Sequence, residues 1–263
     1  PAGDRVPSAV ASVDGFVFYA IATWITRKAL AELVTAYLAA FSVEDDVTLL
    51  IHTTPVDLIA RGRLGRATAP NPGPLATWFT ITRLLAGHRS APRIVLSTDG
   101  LSDEEVHGLH VRGDCFVSLS RGEGWGLGAF EAGGVGNPAI ITGWGGSLDY
   151  VPDGYPYLVD YELIPTTDDE PDDWWQPRPG ERWAKARVDH AAALMRQVFD
   201  HPDEARRWGA TLQSNIVRQF SAPVVRGQLL SALGISNPNG AKQAEQAEEP
   251  RPGTAEGTAN TVG

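Results

Sequence analysis

The stretch SLSRGEGWGLGAFEAGGVGNPAII, Ser118 to Ile141, holds the reading that decides the fold. An apolar run, Cys115–Ser120, leads into it. Glycines then recur at Gly122, Gly124, Gly126 and Gly128, a short helical segment follows, and the run PAIITG carries the chain out over Pro138–Gly143. Short apolar runs without polar alternation are strands buried on both faces. Strands alternating with helices in this way imply a parallel sheet.

Outward from this unit the same alternation repeats. FVFYAIA (Phe16 to Ala22), VTLLIHT (Val47 to Thr53) and RIVLST (Arg93 to Thr98) read as strands, and YLVDYELI (Tyr157 to Ile164) as a last one. Between them, TRKALAELVTAYLAAF places Leu30, Leu33, Val34, Tyr37, Leu38 and Phe41 at helical spacing, so a helix is expected to start with Arg27 and Lys28 in its first turn. A second helix is expected from Leu75 to Gly87, after a Pro- and Gly-rich loop near Pro70 to Pro74. Ser102 followed by Glu105 predicts a capping box. Two or three more helices cover about Val188 to Phe199, Asp203 to Phe220 and Pro223 to Leu233. The pattern predicts an α/β fold, a Rossmann-like doubly wound parallel sheet with helices on both faces and right-handed crossovers. Domain limits follow: an irregular leader over 1–14, the α/β domain over 15–235, and a tail over 236–263 too poor in apolar side chains to order.

Composition narrows the partners. The 263 residues carry 22 Lys and Arg against 32 Asp and Glu, a net charge of −10, which counts against a general nucleic-acid binder. The single cysteine, Cys115, excludes an intramolecular disulfide and any cysteine-built metal site, and reads as a core thiol. No apolar run is long enough to span a bilayer and no signal peptide leads the chain. A soluble cytoplasmic protein is expected, with peripheral attachment at the inner membrane face left open. Because the chain starts at Pro1 rather than Met, an upstream segment is expected to be missing.

In doubly wound sheets, ligands bind outside the carboxyl ends of the strands. Glycines in the loop after Cys115–Ser120 let a backbone approach a ligand, and the helix start offers unpaired amides to an anion such as a diphosphate. Glu123 and Glu131 bracket that loop. A carboxylate would repel phosphate, but it accepts hydrogen bonds from the hydroxyls of a ribose or a sugar beside the phosphates. Amides for phosphate and carboxylates for hydroxyls describe a nucleotide-sugar site. A rival reading takes Gly124, Gly126 and Ala129 as a dinucleotide fingerprint and the protein as an NAD-dependent oxidoreductase. The loop comes several strands late for that, and the acid at suitable distance, Asp149, lies beyond the next strand.

Glu123 and Glu131, set in S-R-G-E-G-W-G-L-G-A-F-E-A, resemble the E-x7-E signature of retaining glycosyltransferases of the GT-B fold, family 4 or glycosyl transferases group 1, and the flanks resemble that family's C-terminal, donor-binding domain from Phe16 to Leu233. The resemblance implies that Glu131 holds the ribose hydroxyls and Glu123 contacts the transferred sugar. It implies that Gly124, Trp125, Gly126, Leu127 and Gly128 line the sugar and phosphates, and that Lys28, with Arg27 beside it, neutralises the departing diphosphate. It further implies a hexosyltransferase with a nucleotide-diphosphate sugar as donor and no cofactor or metal. The acceptor would be a hydroxyl of a glycan, lipid or protein, presented by an N-terminal acceptor domain or a partner chain. The sequence departs from the family pattern at Ile21–Trp24, where an arginine is usual, and lacks the acceptor half.

Plainer readings stand beside these. Arg27 and Lys28 also fit as surface charges in a first helical turn, although cations are unfavourable there. Trp125 and Trp144 fit as part packing and part site wall, and Gly145 and Gly146 as a turn or a close approach to sugar. His52, His88, His107, His110, His190 and His201 share no spacing with acids or cysteine and read as structural. The acidic run Asp168–Asp173 before Trp174 and Trp175 reads as a solvated loop. A non-catalytic half-domain binding a nucleotide or a partner chain is the alternative to the enzyme.

Overall fold

The computed structural model describes residues 13–59, 76–166 and 178–235. Residues 1–12 of the 1–14 leader, the loop near Pro70 to Pro74, the Asp168–Trp175 segment and the tail over 236–263 lie outside them. Six parallel strands form the main sheet: β1 (Phe16–Ile21), β2 (Val47–His52), β3 (Arg93–Ser97), β4 (Cys115–Ser118), β5 (Ala139–Thr142) and β6 (Leu158–Val159). Their order is β3-β2-β1-β4-β5-β6, which reverses direction between β1 and β4. Among the described residues the α-helices are α1 (Leu30–Ala40), α2 (Thr77–Leu85), α3 (Asp103–Arg112), α4 (Leu127–Gly134), α5 (Val188–Asp200), α6 (Pro202–Phe220) and α7 (Ala222–Ala232). The Rossmann-like α/β fold expected from the alternation is the fold observed.

Burial follows the apolar runs. Val17, Phe18 and Tyr19 on β1 and Leu49, Leu50 and Ile51 on β2 are enclosed, as strands covered on both faces require. Phe16, Phe18, Phe41 and Phe199 form an aromatic cluster of tilted and edge-to-face pairs that joins β1, the end of α1 and α5. Cys115 is a buried core thiol. Ser102 caps α3 through a complete capping box with Glu105. By compactness the chain divides into one unit through Arg218 and a second from Gln219, which holds α7.

Two expectations are corrected. Tyr157–Ile164 is not one strand. Leu158–Val159 pairs in parallel with β5, whereas β7 (Tyr161–Pro165) pairs antiparallel with β8 (Arg182–Ala186), a strand absent from the sequence reading. Asp160 causes the break, because its N–H donates to His190 Nδ1 and its carbonyl accepts from the Arg187 N–H. The helix expected from Arg27 begins instead at Leu30. A 3-10 turn, Thr26–Lys28, precedes it, and Ala29 between them is left-handed at φ 51°. The Arg27 carbonyl accepts the Arg121 N–H at 2.8 Å and the Ser120 hydroxyl at 3.2 Å, so it is withdrawn from a helical ladder.

Candidate active site at the switch point

Where strand order reverses, the loops after the two flanking strands diverge to opposite faces and leave a crevice at their carboxyl ends. Here those strands are β1 and β4, and their loops supply the charged residues. Arg27 and Lys28 follow β1; Ser120 to Gly126 follow β4. The backbone bond from Arg121 to Arg27 ties the loops together.

Glu123 is the centre of the cluster. Its carboxylate accepts from Lys28 Nζ and, at 3.3 Å, from Arg27 Nη1, which also donates to the Gly122 carbonyl at 2.6 Å. The Glu123 side chain is 17% exposed, so its charge is shielded but reachable from the crevice. Burial acts to raise its pKa, and the Lys28 ammonium and Arg27 guanidinium outweigh burial, holding the carboxyl below the usual range. Glu123 is therefore an anion fixed between two cations. Nearby, Arg121 pairs with Glu32 of α1 at 2.6 Å.

The glycine loop is gripped from behind by the turn after β5. Gly146 N–H donates to the Glu123 carbonyl at 3.0 Å, and Tyr150 Oη donates to the Gly126 carbonyl at 3.1 Å. A Cβ on Gly146 would stand 1.9 Å from the Gly124 carbonyl oxygen, so this glycine serves the chain's own close approach. Gly126 is left-handed, with its missing Cβ position against Ser147 Oγ, and Gly128 packs on the Phe116 ring. Gly122 and Gly124 alone of these face open space. Leu127 and Gly128 open α4, where the first amides have no intrahelical acceptor. Trp125 stacks at a tilt on Phe130 and Tyr150, and the half-exposed Trp144 on Tyr161.

Glu131 stands apart from this cluster. It lies one turn further along α4 and lines a cavity of about 260 Å³ with Asp103, Val106, His107 and His110 of α3. Its nearest charged or imidazole partner is His110 Nε2 at 3.4 Å. Burial, reinforced by Asp103, raises the Glu131 carboxyl. A larger cavity of about 690 Å³ borders the 3-10 turn on its other side, lined by Trp24, Ala29, Leu30, Phe79, Arg83 and Arg121 among others. Trp24, in the Ile21–Trp24 stretch where the resemblance implies an arginine, is buried.

The structure thus joins Arg27, Lys28 and Glu123, places Gly124 to Gly128 beside them, and sets Glu131 in a neighbouring cavity. Sequence reading missed Ser120, Arg121, Ser147 and Tyr150, which hold the loop. Only the basic residue next to the glycine run, Arg121, left a visible signal. His52, read as structural, contacts Ser97 Oγ at 3.1 Å, and burial lowers its pKa. Among the described residues no group of three or more His, Cys, Asp or Glu side chains is placed to hold a metal ion, and no helix is long and apolar enough to cross a membrane.

This arrangement defines a class, a Rossmann-like domain with a charged, glycine-framed crevice at its switch point. No family model and no curated protein matches the chain. Solved structures do. The C-terminal domain of a glycosyl transferase group 1 family protein (LpcC) from Francisella tularensis superposes with a TM-score of 0.55 at 16% identity, over 81% of this chain and 90% of that one. Sucrose-phosphate synthase from Thermosynechococcus elongatus gives 0.58 at 17% identity, over 93% of this chain and 50% of that one. An α,α-trehalose-phosphate synthase (UDP-forming) from Burkholderia xenovorans gives 0.56 at 14%, over 89% and 48%. This chain therefore spans about half the length of the latter two. Its fold is that of a GT-B glycosyltransferase domain, as the sequence resemblance implied.

Proposed function

We propose that the domain binds a nucleotide-diphosphate sugar at the carboxyl ends of β1 and β4 and, with an acceptor-binding half, transfers the hexosyl group to an acceptor hydroxyl with retention of configuration. The observation that carries this reading is the convergence of Lys28 and Arg27 on Glu123 at the switch point, beside the opening of α4. An ionised carboxylate there accepts hydrogen bonds from sugar hydroxyls. The two cations and the Leu127 and Gly128 amides lie where a diphosphate would be held. As the glycosidic bond breaks, negative charge grows on the leaving diphosphate, and cations already fixed in place stabilise that charge more than the ground state. Without an arginine in the Ile21–Trp24 stretch, phosphate contacts fall to Lys28, Arg27 and the amides. Glu131, in its own cavity, takes the ribose hydroxyls. The Burkholderia relative, UDP-forming by name, supports a nucleoside diphosphate as the released product.

Calorimetric titration with UDP, GDP, ADP and NAD tests the reading. A nucleoside diphosphate is expected to bind and NAD not to bind. Glu131→Ala should weaken that binding about tenfold, the value of one or two hydrogen bonds to a charged acceptor, with an unchanged circular-dichroism spectrum. Unaltered affinity removes the ribose role, and selective NAD binding removes the whole reading. The second reading, a binding module without transfer, is favoured by Glu123 already satisfying both cations in the free domain. Release of UDP, GDP or ADP from the matching sugar donor, lost in Lys28→Ala, decides for the enzyme.

A further inference from the structure

We infer that His110 is a positioning residue for Glu131: a neutral imidazole of fixed tautomer whose Nε2–H holds one carboxylate oxygen, leaving the other for the ribose hydroxyls. The inference rests on the ribose reading of Glu131 and adds to it the group that sets the carboxylate's orientation.

A proton count through a buried relay fixes the tautomer. Asn137 Nδ2 lies 2.5 Å from the His110 carbonyl, which can only accept, so the amide nitrogen is correctly placed and donates. The same nitrogen lies 3.0 Å from Tyr19 Oη. The Tyr19 hydroxyl therefore receives one bond and has its own proton to give, and its remaining partner is His110 Nδ1 at 2.9 Å. Burial pushes the phenol pKa far upward, so that proton stays in place. Nδ1 accepts, and a neutral imidazole must then carry its hydrogen on Nε2.

The ring is neutral because burial lowers its pKa to about 4, with the His107 charge acting in the same direction. The contact to Glu131 is accordingly an N–H facing a carboxylate and not an ion pair. His110 is only 2% exposed, and Nε2 has no hydrogen-bond partner within bonding distance and geometry. Buried donors left unpaired are rare, since removal from water without a replacement acceptor is costly. Glu131 Oε2 stands 3.4 Å away on a side chain that is half exposed. A small rotation completes the bond. Asp103 and His107 are the other titratable groups lining this cavity. Core residues on β1, α3 and the connection after α4 thus direct one donor at Glu131.

Two measurements test this in the whole chain. Long-range proton–nitrogen correlation of the histidine rings should show the His110 imidazole protonated at Nε2 and bare at Nδ1 at neutral pH. The Nδ1–H form would overturn the proposal, whatever binds. Affinities of UDP, GDP and ADP should then be compared with those of their 2′,3′-dideoxy counterparts. Wild type should prefer the ribose form, Glu131→Gln should abolish the preference, and His110→Phe should reduce it about threefold while leaving the dideoxy affinity alone. Tyr19→Phe, which keeps the ring that fills the core, should release the tautomer and reduce the preference part of the way. Should Glu131→Gln abolish the preference while His110→Phe and Tyr19→Phe keep it whole, His110 has no positioning role and the ribose reading survives. If Glu131→Gln itself leaves the preference intact, the ribose reading fails and this inference with it.

Discussion

Ala29 shows how much a single backbone conformation decides. Among the described residues it is the only non-glycine with positive φ, at 51°, and it stands between the turn that carries Arg27 and Lys28 and the helix that the apolar spacing starts. A left-handed alanine costs about 1–2 kcal/mol, so the strain is held by the surrounding bonds, chiefly the withdrawal of the Arg27 carbonyl to Arg121 and Ser120. Ala29→Gly removes that strain and loses part of the gain to the freer unfolded chain. The Ala29 methyl is buried, so its loss offsets most of the remainder, and a net change within about 0.5 kcal/mol is expected, seen as a denaturation midpoint close to that of wild type with an unchanged m-value. The periodicity of Leu30, Leu33, Val34 and Tyr37 locates the helix, but it does not show that the helix starts three residues after Arg27. That depends on a partner 94 positions away in the chain, of which the local pattern carries no trace.

At the scale of elements, α3 is the best specified from sequence. Ser102 and Glu105 satisfy each other's backbone amides, and three acidic residues occupy its first turn, where they complement the helix dipole. Ser102→Ala should lower stability by about 1 kcal/mol, measured by urea unfolding. Because α3 carries His110 towards Glu131, fraying of its first turn also loosens the cavity between α3 and α4. The edge beyond β5 was the least legible. YLVDYELI has the composition of one strand, and its alternation does not reveal the switch of partner at Asp160. Strand β8, RWAKA, is short and carries two basic residues, so it shows little apolar pattern until β7 supplies a partner. The glycine loop was legible in kind but not in purpose. Gly126, Gly128 and Gly146 are required by Ser147, Phe116 and the Gly124 carbonyl, contacts within the protein itself.

The molecule as a whole responds to acid through groups whose proton affinities differ between folded and unfolded chains. His110 is such a group, its value falling from the free 6.5 to about 4. The unfolded chain binds a proton there that the folded chain refuses, so this contribution to stability is complete above pH 6.5 and is lost as pH falls towards the folded value. The expected slope is about 1.4 kcal/mol per pH unit within that window. Glu123, with its lowered carboxyl, adds a further loss in more acid solution, and Glu131, raised by burial, offsets part of it. Thermal unfolding followed from pH 7 to about pH 3 should show this decline, and His110→Phe should flatten it between pH 6.5 and 4 while keeping the loss due to Glu123 in more acid solution.

The amino-acid order alone determined the alternation of strands and helices, the parallel sheet, the capped α3 and the position of a glycine loop with two acids at a strand's carboxyl end. Those features come from short-range sterics and from the periodic burial of neighbouring side chains, so they are written locally. Which charges meet was decided only by the tertiary structure. Lys28 and Glu123 are 95 residues apart and come together because β1 and β4 are adjacent in the sheet. Tyr19, His110, Asn137 and Glu131 meet because α3 and α4 pack beside each other over those strands. Contacts of that kind depend on strand order and helix packing, which summed weak burial energies select for the chain as a whole.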